Sequence, residues 1–136
     1  MPKYKVLAVA NNEETRIDLR RRLGREDEIA LVGFAGMNAG VLTKITGYVP
    51  HVVLLVQEEG DSGVMEVAQR IYQGFPGCAL VLLTPNQDIE LLNKAMLSGI
   101  RQVVALKDIA TLKDVLVQSA VFEQARGIET GREPRV

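Results

Sequence analysis

Pro50-His51-Val52-Val53-Leu54-Leu55-Val56 is followed by Gln57-Glu58-Glu59-Gly60-Asp61-Ser62-Gly63, and then by Val64, Val67, Ala68 and Ile71 at helical spacing. The run from His51 to Val56 has no polar alternation, so it reads as a strand buried on both faces. The second stretch is a polar loop, and the third sets four apolar side chains on one helix face. Together they make one strand–loop–helix unit, and the pattern repeats in both directions. Further strands are expected at Lys5–Ala10, Ile29–Phe34, Cys78–Leu83 and Gln102–Leu106. Further helix faces are carried by Val41, Leu42, Ile45 and Tyr48, by Leu91, Leu92, Ala95 and Met96, and by Leu112, Val115, Leu116 and Ser119. The first helix is the poorest. Leu19 and Leu23 share a face, but Ile17 points about 160° from Leu19 at ~100° per residue.

Punctuation supports these boundaries. Gly24, Gly47, Gly74 and Gly99 fall near helix ends, where positive φ is useful. Asn12, with Glu13 and Glu14 behind it, makes a good helix start; Asp61-Ser62 and Asn86 are expected to cap helices three and four. Five βα units in a row imply an α/β fold, a doubly wound parallel sheet with helices on both faces. For five strands the leading order is the flavodoxin-like 2-1-3-4-5, with a functional crevice at the carboxyl ends of strands one and three.

Composition sets the outer limits. The 136 residues fit one domain with a real core, are 47% hydrophobic and 24% charged, and carry a formal net charge of −1. That profile is neither disordered nor nucleic-acid-coating. One cysteine, Cys78, precludes an internal disulfide, and one histidine, His51, cannot supply a zinc cluster. The apolar run Val6–Ala10 is too short for a signal peptide or membrane span, so a cytoplasmic protein is expected. Residues 1–124 are expected to form the domain; 125–136 are polar, contain Gly and Pro, and read as a tail or linker.

The crevice loops carry Ala10-Asn11-Asn12-Glu13-Glu14, Val56 to Gly63, Thr84-Pro85-Asn86 and Lys107-Asp108. With Lys5-Val6-Leu7-Ala8-Val9, Leu31-Val32-Gly33-Phe34-Ala35-Gly36, Pro50 to Leu55, Leu82-Leu83-Thr84 and Ser98-Gly99-Ile100-Arg101, the chain from about 4 to 122 resembles response-regulator receiver domains of the CheY-like fold. That resemblance implies two acids after strand one, an acceptor Asp ending strand three, Thr or Ser after strand four and Lys after strand five. In such a set the acids hold Mg²⁺, the acceptor is the nucleophile, and Lys and Thr bind phosphoryl oxygens.

Transferred residue by residue, most of this set is missing. The acid pair falls on Ala10 and Asn11, and the acceptor on Val56, which has no nucleophilic atom. Thr84 matches. Lys107 matches with an offset of one residue from Gly99, Asp108 replaces the usual proline, and the loop after Val56 is one residue short. Phosphotransfer is therefore not expected; nor is a metal or cofactor. Glu58, Glu59 and Asp61 could form a displaced metal site, but a solvated acidic loop with Asp61 as a helix cap is the better reading. The expected site is a degenerate phosphoacceptor pocket of Ala10, Asn11, Val56, Glu58, Thr84 and Lys107.

Other residues have ordinary explanations. Cys78 heads a buried strand as a small core residue, and His51 stands at the far end of strand three in a structural role. Arg16, Arg20, Arg21, Arg22 and Arg25 invite a nucleic-acid reading, yet interleaved acids, including Asp18 four residues before Arg22, favour a solvated, salt-bridged face.

Within the family the chain most resembles the atypical N-terminal receivers of TadZ/CpaE-type pilus-assembly localisation ATPases. This implies a non-enzymatic interaction or dimerisation module acting through helix four, strand five and helix five on a protein partner, without direct nucleic-acid binding or membrane insertion. The segment Gly131 to Val136 would lead into an ATPase domain. One alternative is the receiver of a two-component transcriptional regulator cut from its DNA-binding output. Another is a small-ligand-binding flavodoxin-like domain, disfavoured because the loop after strand one is acidic and lacks glycine.

Overall fold

The computed structural model describes residues 3–58, 63–85 and 87–131, the last eight of these by backbone alone. Five strands, β1 (Tyr4–Val9), β2 (Ile29–Ala35), β3 (Val52–Val56), β4 (Ala79–Thr84) and β5 (Gln102–Ala105), alternate with five helices. These are α1 (Glu13–Leu23), α2 (Val41–Tyr48), α3 (Val64–Gly74), α4 (Ile89–Leu97) and α5 (Leu112–Gly131), with a 3-10 turn at Leu106–Thr111. The sheet is parallel throughout, in the order β2-β1-β3-β4-β5.

Alternate residues of each strand serve opposite faces, which is why the central strand β3 is apolar throughout and its neighbours nearly so. Val6, Ala8, Val52, Leu54, Val81 and Leu83 pack beneath α1 and α5, through Leu19, Leu23, Leu112, Leu116 and Ala120. Leu7, Val9, Val53, Leu55, Leu80 and Leu82 pack beneath α2, α3 and α4, through Val41, Ile45, Val67, Ile71 and Ala95.

α1 forms although its apolar stripe is narrow. Only Leu19 and Leu23 are buried, and Ile17 faces solvent. Tertiary contacts complete its inner face: the Arg16 and Arg20 guanidinium groups lie 5.7 and 5.2 Å from the Phe34 ring centroid. Arg22 pairs with Asp18 at 3.0 Å, as the sequence spacing implies.

Several local expectations are corrected. Gly24 caps α1 in a right-handed conformation, and Gly47 and Gly74 lie within helices. Among the described residues only Gly99 is a glycine with positive φ; at the end of α2 it is Val49 that turns left-handed. The side-chain cap of α4 is Asp88, whose carboxylate accepts from the Leu91 N–H, and α3 starts at Gly63 without a side-chain cap. The expected caps Asp61, Ser62 and Asn86 lie outside the described residues. α5 continues to Gly131, into the segment 125–136 expected as a tail or linker. Ala, Arg and Glu are good helix formers, and no proline falls between Leu112 and Gly131. Among the described residues no helix is long and apolar enough to cross a membrane.

At the amino edge of the sheet, His51 Nδ1 accepts the Lys5 N–H at 2.9 Å, and its ring meets Tyr4 edge-on. Burial first, and the nearby Lys5 ammonium second, hold this imidazole below its ordinary 6.5. The unfolded chain then binds the proton more readily, so this contribution to stability is full above the unfolded pKa and is lost as pH falls below it. Urea unfolding is expected to show stability declining between about pH 7.5 and 5, with a flatter profile in His51→Asn, which keeps an acceptor but does not titrate. An unchanged slope in that variant would assign the decline to other groups.

Candidate functional site

The carboxyl ends of the strands open onto a crevice of about 800 Å³. Its position follows from the topology: β1 and β3 are adjacent, and their chains leave to opposite faces of the sheet. Hydrogen bonds between loops then fix its walls.

Ala10 is fully buried; its N–H donates to Ala35 O, and its carbonyl accepts from Arg16 Nε at 2.8 Å. Asn11 Oδ1 accepts from the Met37 N–H at 2.9 Å, which ties the loop after β1 to the end of β2. Asn12 caps α1, accepting from the Glu14 N–H at 2.7 Å. Glu58 joins the two loops that frame the crevice. Its carboxylate accepts from the N–H groups of Asn11 (2.9 Å) and Asn12 (3.2 Å) and from Thr15 Oγ1 (3.0 Å). An anion at the start of α1 is also favoured by the helix dipole. With these donors in place, the Glu58 oxygens are already engaged within the protein.

Val56 is nearly buried and presents only methyl groups to the crevice. The next residue, Gln57, bonds to β4 twice: its N–H donates to Leu83 O at 2.8 Å, and its Oε1 accepts from Thr84 Oγ1 at 2.7 Å. Thr84 is itself buried, so its hydroxyl is committed to a neighbour in the sheet.

The structure thus brings Val56, Glu58 and Thr84 to the crevice wall, with Ala10 and Asn11 in its supporting loop. It does not bring Lys107 there. The chain passes from Ala105 straight into the 3-10 turn, so Leu106 and Ile109 line the crevice while Lys107 is exposed. The one-residue offset from Gly99 signals this displacement. Sequence reasoning assigned no role to Gln57 or Asp88 and placed Leu106 at the end of strand five; β5 stops at Ala105, and all three residues line the crevice. A parallel-strand count could have found Leu106, since it is the first residue after β5. Glu59 and Asp61, the other acids of the loop, lie outside the described residues.

No protein-family model and no curated protein matches the sequence. Solved structures do. The signal receiver domain of an HD domain-containing protein from Pseudomonas fluorescens Pf-5 superposes with a TM-score of 0.77 at 20% identity, over 91% of this chain and 99% of that one. The chain has the receiver fold. The response regulator domain of Thermotoga maritima CheB gives 0.76 at 16% identity, covering 88% and 97%. A "Putative pilus assembly-related protein" from Burkholderia pseudomallei K96243 also gives 0.76, at 18% identity, covering 87% and 90%. At these identities the likeness is one of fold.

Proposed function

We propose that this chain is a receiver-fold module that accepts no phosphoryl group and acts, without catalysis, by binding protein. The observation that carries the reading is Val56: it ends β3, where the resemblance places the acceptor carboxylate, and offers only methyl groups. Its surroundings agree. Ala10 and Asn11 supply no carboxylate for Mg²⁺, Glu58 is engaged by loop amides, Thr84 bonds to Gln57, and Lys107 is exposed and does not line the crevice.

The surface for a partner or second copy is the face of α4, β5 and α5. Met96 and Leu97 on α4 are 67% and 85% exposed, and Val121 and Phe122 on α5 are about half exposed. Arg101 lies 4.3 Å from the Phe122 ring centroid and pairs with Glu123, which gives that face a fixed aromatic and cationic point. Within a longer protein the module serves as the N-terminal regulatory or localisation domain of a pilus-assembly ATPase. The sequence resemblance and the fold shared with the pilus-related Burkholderia protein support this role.

The test is an amide NMR titration with Mg²⁺ followed by beryllofluoride. Unchanged signals for Asn11, Val56, Thr84 and Lys107 are expected. Saturable shifts at these residues would show a working acidic site and end this reading.

A further inference from the structure

The crevice is apolar at its floor and acidic at its rim. Its floor is apolar: Val56, Leu83, Leu91, Leu106 and Ile109 line it, and Leu106 is 47% exposed. Its rim carries Glu14, Asp18, Glu58 and Asp88, and no basic side chain of the described residues lines it. Asp18 turns to Arg22 at 3.0 Å, and Glu58 to the loop amides. Glu14 and Asp88 remain exposed beside the apolar floor, Asp88 using one oxygen to cap α4.

An anion would meet this rim with repulsion and find no donor cation. A neutral apolar molecule would gain the floor but ignore the carboxylates. A cation on an apolar body uses both, and about 800 Å³ is the size of an ordinary small-molecule pocket. From this arrangement we infer that the crevice is a binding site for small organic monocations, an amine or guanidinium borne on an aromatic or aliphatic body. The apolar part lies on Leu106, Leu91 and Val56, and the charge sits at the rim by Glu14 and Asp88. Leu106 is the determinant, because it fills with hydrocarbon the place nearest the expected lysine. This site opens at the carboxyl ends of the strands, whereas the partner surface proposed above is carried by Met96, Leu97, Val121 and Phe122.

The experiment is an amide NMR titration of the whole chain with 2-phenylethylamine, compared with 2-phenylethanol and 3-phenylpropionate. The amine is expected to shift Gln57, Thr84, Leu91 and Leu106 saturably, in the millimolar range of so small a ligand. The alcohol is expected to bind about tenfold more weakly and the carboxylate not at all. The double variant Glu14→Gln, Asp88→Asn should bring the amine down to the affinity of the alcohol; asparagine keeps the helix cap. Leu106→Lys should abolish amine binding. Both positions of the double variant and Leu106 are exposed, and each variant's own spectrum reports its fold. The proposal is overturned if the alcohol or carboxylate binds as tightly as the amine. It is equally overturned if no saturable shift appears at these amides, or if the double variant leaves the affinity unchanged.

Discussion

Val56→Asp is expected to cost about 3 kcal/mol of stability and to gain no phosphoryl group. The residue is nearly buried against Leu83 and the methyl-lined floor. A carboxylate there loses solvation and finds no lysine, because Leu106 lies in the crevice and Lys107 outside it. Thr84 Oγ1 donates to Gln57, and Glu14, Glu58 and Asp88 add like charge. Burial and like charge both raise the pKa of the introduced acid above its unfolded value. The penalty therefore grows as pH rises through about 4 towards neutrality. Urea midpoints of wild type and variant, taken at about pH 4.5 and 7.5, should diverge with rising pH. Intact mass after incubation with acetyl phosphate and Mg²⁺ should stay unmodified. An equally stable variant, or one that gains phosphoryl mass, would mean that the crevice retains the electrostatics of a phosphorylation site.

That prediction depends on side-chain directions that only the structure supplies. The sheet was legible because uninterrupted apolar runs such as Val52–Val56 have one physical solution, a parallel strand covered on both faces. The order of strands followed from the βα alternation. That Val56 ends β3 was legible too, since the expected strand His51–Val56 closes on the same residue. Lys107 was not. Whether a residue after a strand points into or out of a crevice depends on where the strand ends, and β5 ends one residue before Leu106. Glu58 was legible as an acid but not as a loop tie, since its partners are N–H groups forty-six and forty-seven residues earlier. The Asn12 cap was legible, but the α4 cap was not: only placement of the first helical residue separates Asp88 from Asn86.

The largest backbone effect is expected at Gly99. α4 ends in a Schellman arrangement: the Ile100 N–H donates to Ala95 O at 3.0 Å and the Gly99 N–H to Met96 O at 3.2 Å. Gly99 has φ +94°, and a Cβ there would lie 2.5 Å from Tyr72 Cγ and 2.8 Å from Tyr72 Cβ. Those atoms are at the root of the tyrosine side chain, so the ring cannot simply swing aside. Gly99→Ala thus combines about 1–2 kcal/mol for the left-handed conformation with a comparable overpacking cost, about 3 kcal/mol in all. The buried Ile100 that follows would be displaced with it, which carries the strain into the α3–α4 face of the core. Two further variants separate the terms. Tyr72→Ala in the Gly99→Ala background should recover the overpacking share, a coupling of about 1 kcal/mol or more in a double-mutant cycle. Gly47→Ala is the control: nothing lies within 4 Å of a Cβ there and the residue is within α2, so a gain of about 0.5–1 kcal/mol is expected. Chemical denaturation of these variants, together with wild type and the Tyr72→Ala single variant that closes the cycle, measures all of this. A Gly99→Ala variant as stable as wild type would show that the α4 terminus can re-form with a right-handed residue. The α4 face, with its exposed Met96 and Leu97, would then not be held in one position by the turn that follows it.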